Sequence, residues 1–263
     1  MEEYDTGLGV PSPDFNGDGV INIKDLLKLI ESCGQDESKF DITPSPFGDG
    51  IVDALDLELL MSYWQQSVDD PTLIAHWAMD EEEGIIAYDS AGICDAYLMG
   101  DPIWQPDAGQ VGGALMFDGV DDYVLAPVGL SPADGPFSVF AWVTGGAPGQ
   151  AIISQSNGTN WLGADSDLGC LMTELIPPAV GRFVPQPLNS EFVITDGQWH
   201  RIGFVWDGSN RSLYVDDVLV AVDTQNNLQG SVGGLYIGCG STAGTYWTGL
   251  IDDIRVFNRA VRP

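Results

Sequence analysis

Residues 14–25 read Asp-Phe-Asn-Gly-Asp-Gly-Val-Ile-Asn-Ile-Lys-Asp, and oxygen donors recur there at a fixed rhythm. Asp14, Asn16, Asp18, Asn22 and Asp25 fall at positions 1, 3, 5, 9 and 12 of a twelve-residue loop. Gly19 stands at position 6, and Val20 offers its carbonyl at position 7. Calcium takes six to eight hard oxygen ligands, so alternate residues turn their donors toward one ion while the glycine makes the sharp bend. The spacing predicts a Ca2+ loop, against the plainer reading of an Asp/Asn/Gly turn.

A helix is expected next, over 23–32, with Ile23, Leu26, Leu27 and Ile30 as its buried stripe. A second copy follows at 47–60. Aligning Asp18-Gly19 with Asp49-Gly50 puts Ile51 at position 7, Asp53 at position 9 and Asp56 at position 12. Its helix should bury Leu55, Leu59, Leu60 and Tyr63. Strict spacing makes Ser45 the first ligand and Phe47 the third. Asp41 is the better first ligand, with Thr43-Pro-Ser-Pro looped out; a loop holding no ion is the alternative.

Two loop–helix units, aspartate at position 12 and no entering helices resemble a dockerin, the duplicated calcium module (a paired F-hand) that binds cohesin domains. The resemblance covers about residues 14–64. It implies a protein partner, either a cohesin-like domain or another copy of this chain. Positions 10 and 11 are Ile23/Lys24 and Ala54/Leu55, where the family commonly carries hydroxyl pairs, so the partner surface departs from the pattern.

Nine basic residues against thirty-nine acidic give a formal net charge of −30. Such a surface repels nucleic acid and anionic membranes. No apolar run reaches the length of a membrane span. Cytosolic calcium is too scarce for a structural site of moderate affinity, so an extracellular or cell-surface location is expected, with a leader removed. Cys33, Cys94, Cys170 and Cys239 allow three pairings, and their spacing chooses none.

The expected organisation is a tail over 1–13, the calcium module over 14–66, a linker over 67–72 and a second domain over 73–263. From Leu73 onward, short alternating strands lie between Gly, Asp and Asn turns, the pattern of a sandwich. Asp216-Asp217 reads as the turn pair of a tight hairpin. Trp77-Ala-Met-Asp-Glu-Glu-Glu-Gly, Gly112-Gly-Ala-Leu-Met-Phe-Asp-Gly, Asp196-Gly-Gln-Trp-His and Gly249-Leu-Ile-Asp-Asp-Ile-Arg-Val-Phe-Asn-Arg-Ala resemble landmarks of the laminin G-like, concanavalin A-like jelly roll, in that family's order. The expected fold is therefore mainly β, a jelly-roll sandwich behind a small α-helical dockerin-like domain.

The jelly-roll resemblance implies one further Ca2+ held by Asp80, Asp118 and Asp252; the plainer reading makes Asp118 and Asp252 turn caps. Glycosidases of this fold carry Glu-x-Asp-x-x-Glu on one strand, and no strand between 73 and 263 does. His76 and His200 read as core or hairpin histidines rather than members of a Ser/His/Asp arrangement, so no enzyme is expected. Trp104, Trp161, Tyr246 and Trp247 are candidates for stacking on sugars, whereas Trp142, Trp199 and Trp206 read as core. The expected function is a non-catalytic extracellular protein for assembly or adhesion, with a glycan or protein as the jelly roll's ligand. One alternative is a subunit that self-assembles head to tail into filaments. The other is an accessory fragment of a polysaccharide-degrading enzyme.

Overall fold

A computed structural model describes residues 13, 15, 21–34, 40–43, 50–62, 64, 70–155, 158–179, 185–241 and 245–263. Residues 1–12 of the expected tail, Tyr63 and residues 67–69 of the expected linker lie outside the described residues. The chain divides into two compact units, Met1–Asp70 and Pro71–Arg262.

The first unit holds α1 (Ile23–Glu31) and α2 (Ala54–Ser62). Both helices start the same way. Asn22 accepts from the Lys24 amide at 2.8 Å while Asp25 reaches back to the Asn22 amide at 2.9 Å. Asp53 accepts from Leu55 at 2.7 Å and Asp56 from the Asp53 amide at 2.8 Å. These reciprocal bonds satisfy amides that the first helical turn leaves without partners. The core beneath is Phe15, Ile21, Leu29, Ile42, Val52 and Leu60. It repeats: Ile21 matches Val52, and Leu29 matches Leu60.

The buried face of α1 differs from the expected stripe. Asp25 and Leu29 are buried, whereas Ile23, Leu27 and Ile30 are 56%, 52% and 57% exposed. The cause is the carboxylate. Once Asp25 turns inward to hold its loop, Leu29 one turn later must follow, and positions 23, 27 and 30 rotate outward. In α2, Asp56 and Leu60 are buried in the same way, and Leu55 is exposed.

Among the described residues, the second unit is a sandwich of sixteen strands. They are β1 (Leu73–Trp77), β2 (Ile86–Ala87), β3 (Ala96–Met99), β4 (Ile103–Gln105), β5 (Ala114–Asp118), β6 (Tyr123–Ala126), β7 (Phe137–Gly145) and β8 (Ala151–Gln155). Then come β9 (Asn160–Ala164), β10 (Cys170–Thr173), β11 (Leu188–Val193), β12 (His200–Trp206), β13 (Asn210–Val215), β14 (Val218–Thr224), β15 (Leu235–Ile237) and β16 (Thr248–Phe257). One sheet runs β14-β13-β12-β7-β16-β5-β4 with β1 also on β16; the other runs β11-β10-β9-β8-β15-β6-β3-β2. Neighbours pair antiparallel throughout, as in β12 with β7 and β15 with β6.

The hairpin expected at Asp216-Asp217 is present, with both residues in the left-handed region (φ 51° and 66°) that a two-residue turn requires. The core between the sheets includes Trp77, Phe117, Phe137, Trp161, Phe204 and Trp247. Gly238 has φ +84°, and a Cβ there would strike the Phe117 ring, so only glycine fits. The four cysteines are free thiols.

Trp161 is fully buried and packs on Phe137 at a ring separation of 5.0 Å. Trp161→Ala should cost roughly 3–5 kcal/mol, read as a lower denaturant midpoint with an unchanged slope.

Candidate functional site

Among the described residues, chemistry gathers at several places, three of which bear on ligand binding. The first is the pair of loops leading into α1 and α2. Asp14, Asn16, Asp18, Val20 and Asp49 lie outside the described residues; Asn22, Asp25, Asp41, Ile51, Asp53 and Asp56 lie within them. Asp25 Oδ1 accepts from the Phe15 amide at 2.8 Å, and Asp56 Oδ1 accepts from the Ile42 amide at 2.8 Å. These equivalent bonds span ten and fourteen residues, so the second loop is longer by 14 − 10 = 4 residues. Phe15 therefore corresponds to Ile42, and Asp41 holds the place of Asp14. Asp41 is buried and accepts from the Gly50 amide at 2.6 Å. Gly50 makes the bend with φ +94°. Asp41 and Asp56 are buried and Asp53 is half-buried; hard oxygens of this kind would suit calcium, with Asp41, Asp53, Asp56 and the Ile51 carbonyl as the candidates in one loop and Asn22 and Asp25 in the other.

The second place is the loop 109–113 against β16. Asp252 is fully buried. Its Oδ2 accepts from the Gln110 and Val111 amides at 2.8 and 2.9 Å, whereas Oδ1 is sealed without a hydrogen-bond partner. Burial pushes this carboxyl up to about 7, and Asp253 and Asp80 add to the rise, against the two amides. Asp80 reaches the same loop through the Gly113 amide at 2.6 Å. An orphaned carboxylate oxygen with a second carboxylate nearby would suit a calcium ion, with Asp252 and Asp80 as the residues that would hold it. Asp118 is not brought to them. It pairs with Thr248 in β16, four residues from Asp252 and so about 13 Å along the strand. There it caps the turn by accepting from Val120 and lies beside Asp121 and Asp122.

The third place was missed by sequence reasoning. Ile86, Tyr97, Leu125, Tyr236 and Ser154 stand in register across β2, β3, β6, β15 and β8. The alternation of buried and unburied positions in β3, β6 and β15 turns Tyr97, Tyr123 and Tyr236 away from the core. Tyr123 and Tyr236 meet edge to face at 5.5 Å. Burial pushes the Tyr123 phenol up, with Tyr236, Cys239 and Tyr246 adjacent. Burial also pushes the Cys239 thiol up to about 12, which leaves it protonated and unreactive. At the other end of this sheet lies a cavity of about 680 Å³ whose lining includes Asp165, Asp167, Met172, Asn189 and Glu191. Among the described arginines, Arg201, Arg211 and Arg255 belong to the opposite sheet, paired with Asp217, Asp223 and Asp253.

The tryptophans exchange roles relative to expectation. Trp104, Trp161 and Trp247 are core, Tyr246 is half-buried, and Trp206 is core, but Trp142 and Trp199 are only half-buried. The reason is strand phase. Trp142 alternates with the inward Ala141 and Val143, and Trp104 is inward because its indole N–H donates to the Gly84 carbonyl. His200 is a hairpin histidine, bridging Asp216 and Asp196 at 2.9 and 3.2 Å.

Residues 118–263 match the family described as the concanavalin A-like lectin/glucanases superfamily, Laminin_G_3. No curated protein matches the chain. Among solved structures, the chain is similar to the binding domain of Paraclostridial Mosquitocidal Protein 1 (TM-score 0.59, 10% identity, 73% of this chain and 50% of that one). It is also similar to the binding domain of Botulinum Neurotoxin DC in complex with SialylT (TM-score 0.51, 13% identity, 73% and 49%). A third is Trypanosoma rangeli sialidase (TM-score 0.50, 16% identity, 76% and 32%). At these identities the likeness shows the fold. The chain spans half or less of the length of each of the three.

Asp252 gives a pH test. Its folded pKa of about 7 lies above the ordinary carboxyl value. Its contribution is therefore fully present below about pH 4 and lost as pH rises toward 7. Calcium-free protein should gain about 2.5 kcal/mol of stability on acidification from pH 7.5 to 5 relative to Asp252→Asn. Thermal melts of the two proteins across that range measure the difference.

Proposed function

Because the chain belongs to the concanavalin A-like lectin/glucanases superfamily, we propose that it is a calcium-binding extracellular recognition protein that holds a glycan without cleaving it. The row of outward tyrosines Tyr97, Tyr123 and Tyr236 across one sheet carries this reading. Aromatic faces give sugar rings an apolar floor, and flanking polar groups set orientation. The neurotoxin binding domain of similar fold was solved with SialylT, which supports a glycan as the class of ligand. The carboxylates of the cavity lining, Asp165, Asp167 and Glu191, favour a neutral sugar over an acidic one.

The first unit completes the proposal as a dockerin-like module. Calcium, held by the loop oxygens, stiffens both loops and presents the helices to a protein partner. The one-turn apolar offset of Ile23, Leu27 and Ile30 on α1 supports a docking role, because it leaves a row of large apolar side chains in water.

That same row favours a second reading, self-assembly into an extracellular filament with another copy as the partner. The edge strand β14 also exposes Val218, Leu219 and Val222, and an unpaired edge is a template for a neighbouring chain. At a net charge of −30, divalent cations would be needed to bring copies together.

Tyr97→Ala and Tyr236→Ala should each weaken binding to a neutral polysaccharide about tenfold or more in glycan-array or affinity-gel assays. Loss of binding to acidic glycans alone would oppose the reading. Light scattering with and without chelator separates the two assembly readings. Polymers that dissolve on calcium removal support the filament; a monomer that gains a heterologous protein partner only in calcium supports the docking module.

A further inference from the structure

Three side chains from distant parts of the chain meet beside β1. His76 sets Nδ1 2.7 Å from the Ser90 hydroxyl and Nε2 2.7 Å from Oδ1 of Asp253. Asp253 sits where the β16 register shifts, with φ 48°. Constrained backbone of this kind gathers at functional positions. The carboxylate is nearly sealed, and buried Arg255 donates to the same oxygen from Nε at 3.1 Å and Nη2 at 3.0 Å. With two Arg255 donors already on Asp253 Oδ1, His76 Nε2 meets that oxygen as a third donor, which leaves the Nδ1 lone pair to the hydroxyl.

Ser90 is exposed at the head of a turn organised by Asp89. That buried carboxylate accepts from the amides of His76, Ala91 and Cys94, each at 2.9 Å. The Ser90 amide donates to the His76 carbonyl at 2.9 Å, which fixes the serine over the histidine. The same carbonyl is a second acceptor for the hydroxyl at 3.2 Å, longer than the bond to Nδ1.

We propose that Ser90 is a nucleophile, activated by His76 and oriented through Asp253, that accepts the acyl group of a small, unhindered ester. Ser90 Oγ bonds to the ester carbonyl carbon as its proton passes to His76 Nδ1. The tetrahedral adduct collapses, and the departing alkoxide takes that proton and leaves as the alcohol. A water molecule, losing a proton to the same nitrogen, then attacks the acyl carbon; the bond to Ser90 Oγ breaks, Oγ takes that proton back from Nδ1, and the acid leaves. Asp253 is a positioning residue that balances the charge on the imidazolium. The ester is small because Ser90 stands on an open turn, near the almost fully exposed Ile93.

The full chain, with thiols capped by iodoacetamide, is mixed with p-nitrophenyl acetate and followed by nitrophenolate release and peptide mass spectrometry. The expected result is an acetyl group on the Ser90 peptide. Ser90→Ala removes only an exposed hydroxyl and should abolish that mass with the melting curve unchanged. His76→Gln should slow acetylation about 100-fold. Asp253→Glu should retain more of the rate than Asp253→Asn, a difference that loss of fold alone would not produce. Acetylation elsewhere with Ser90 unmodified overturns the proposal, and so does labelling of Ser90 in His76→Gln at the original rate. Either result would make the trio a stitch between β1, the turn and β16.

Discussion

Strand β16 is the member on which the larger unit depends. It pairs with β7 along one side and with β5 and then β1 along the other. One bulge between Asp252 and Arg255 lets a single strand serve these neighbours. It also sends two consecutive carboxylates to different tasks: Asp252 to the loop at 109–113, Asp253 to His76 and Arg255. A straight strand would point them to opposite faces of the sheet and could not seat both as buried, differently partnered acids.

In the smaller unit the corresponding constraint is a carboxylate at the foot of each helix. Asp25 and Asp56 are both fully buried, yet they do not sit idle in the core. Each ties its loop to its helix through amide hydrogen bonds that no apolar side chain could accept. Burying a charge is costly unless it is bonded on several sides. The loops supply that bonding, and in return the orientation of the helices is set by acids rather than by leucines.

This accounts for what could be read in advance and what could not. The hairpin at Asp216-Asp217 and strands such as Tyr123–Ala126 and His200–Trp206 are local signals, carried by neighbours in sequence. The helical stripe misled because apolar spacing alone cannot register an inward aspartate. Short strands such as β2, β4 and β15 are too brief to show alternation. The tyrosine face is assembled from β3, β6 and β15, whose order in the sheet bears no simple relation to their order in the chain. Ser90, His76 and Asp253 illustrate the same limit, since only pairing of β1 with β16 makes them neighbours.

The four extra residues in the second loop have a geometric consequence. Two identical loop–helix halves would be related by a near two-fold axis and would offer any partner two equivalent ways to sit. Here the halves are unlike: Ile23, Leu27 and Ile30 on α1 correspond to Ala54, Glu58 and Met61 on α2. A partner turned end for end would exchange a leucine for a carboxylate and meet a longer loop. The unit therefore has a head and a tail, and anything built by repeating its contacts inherits a direction.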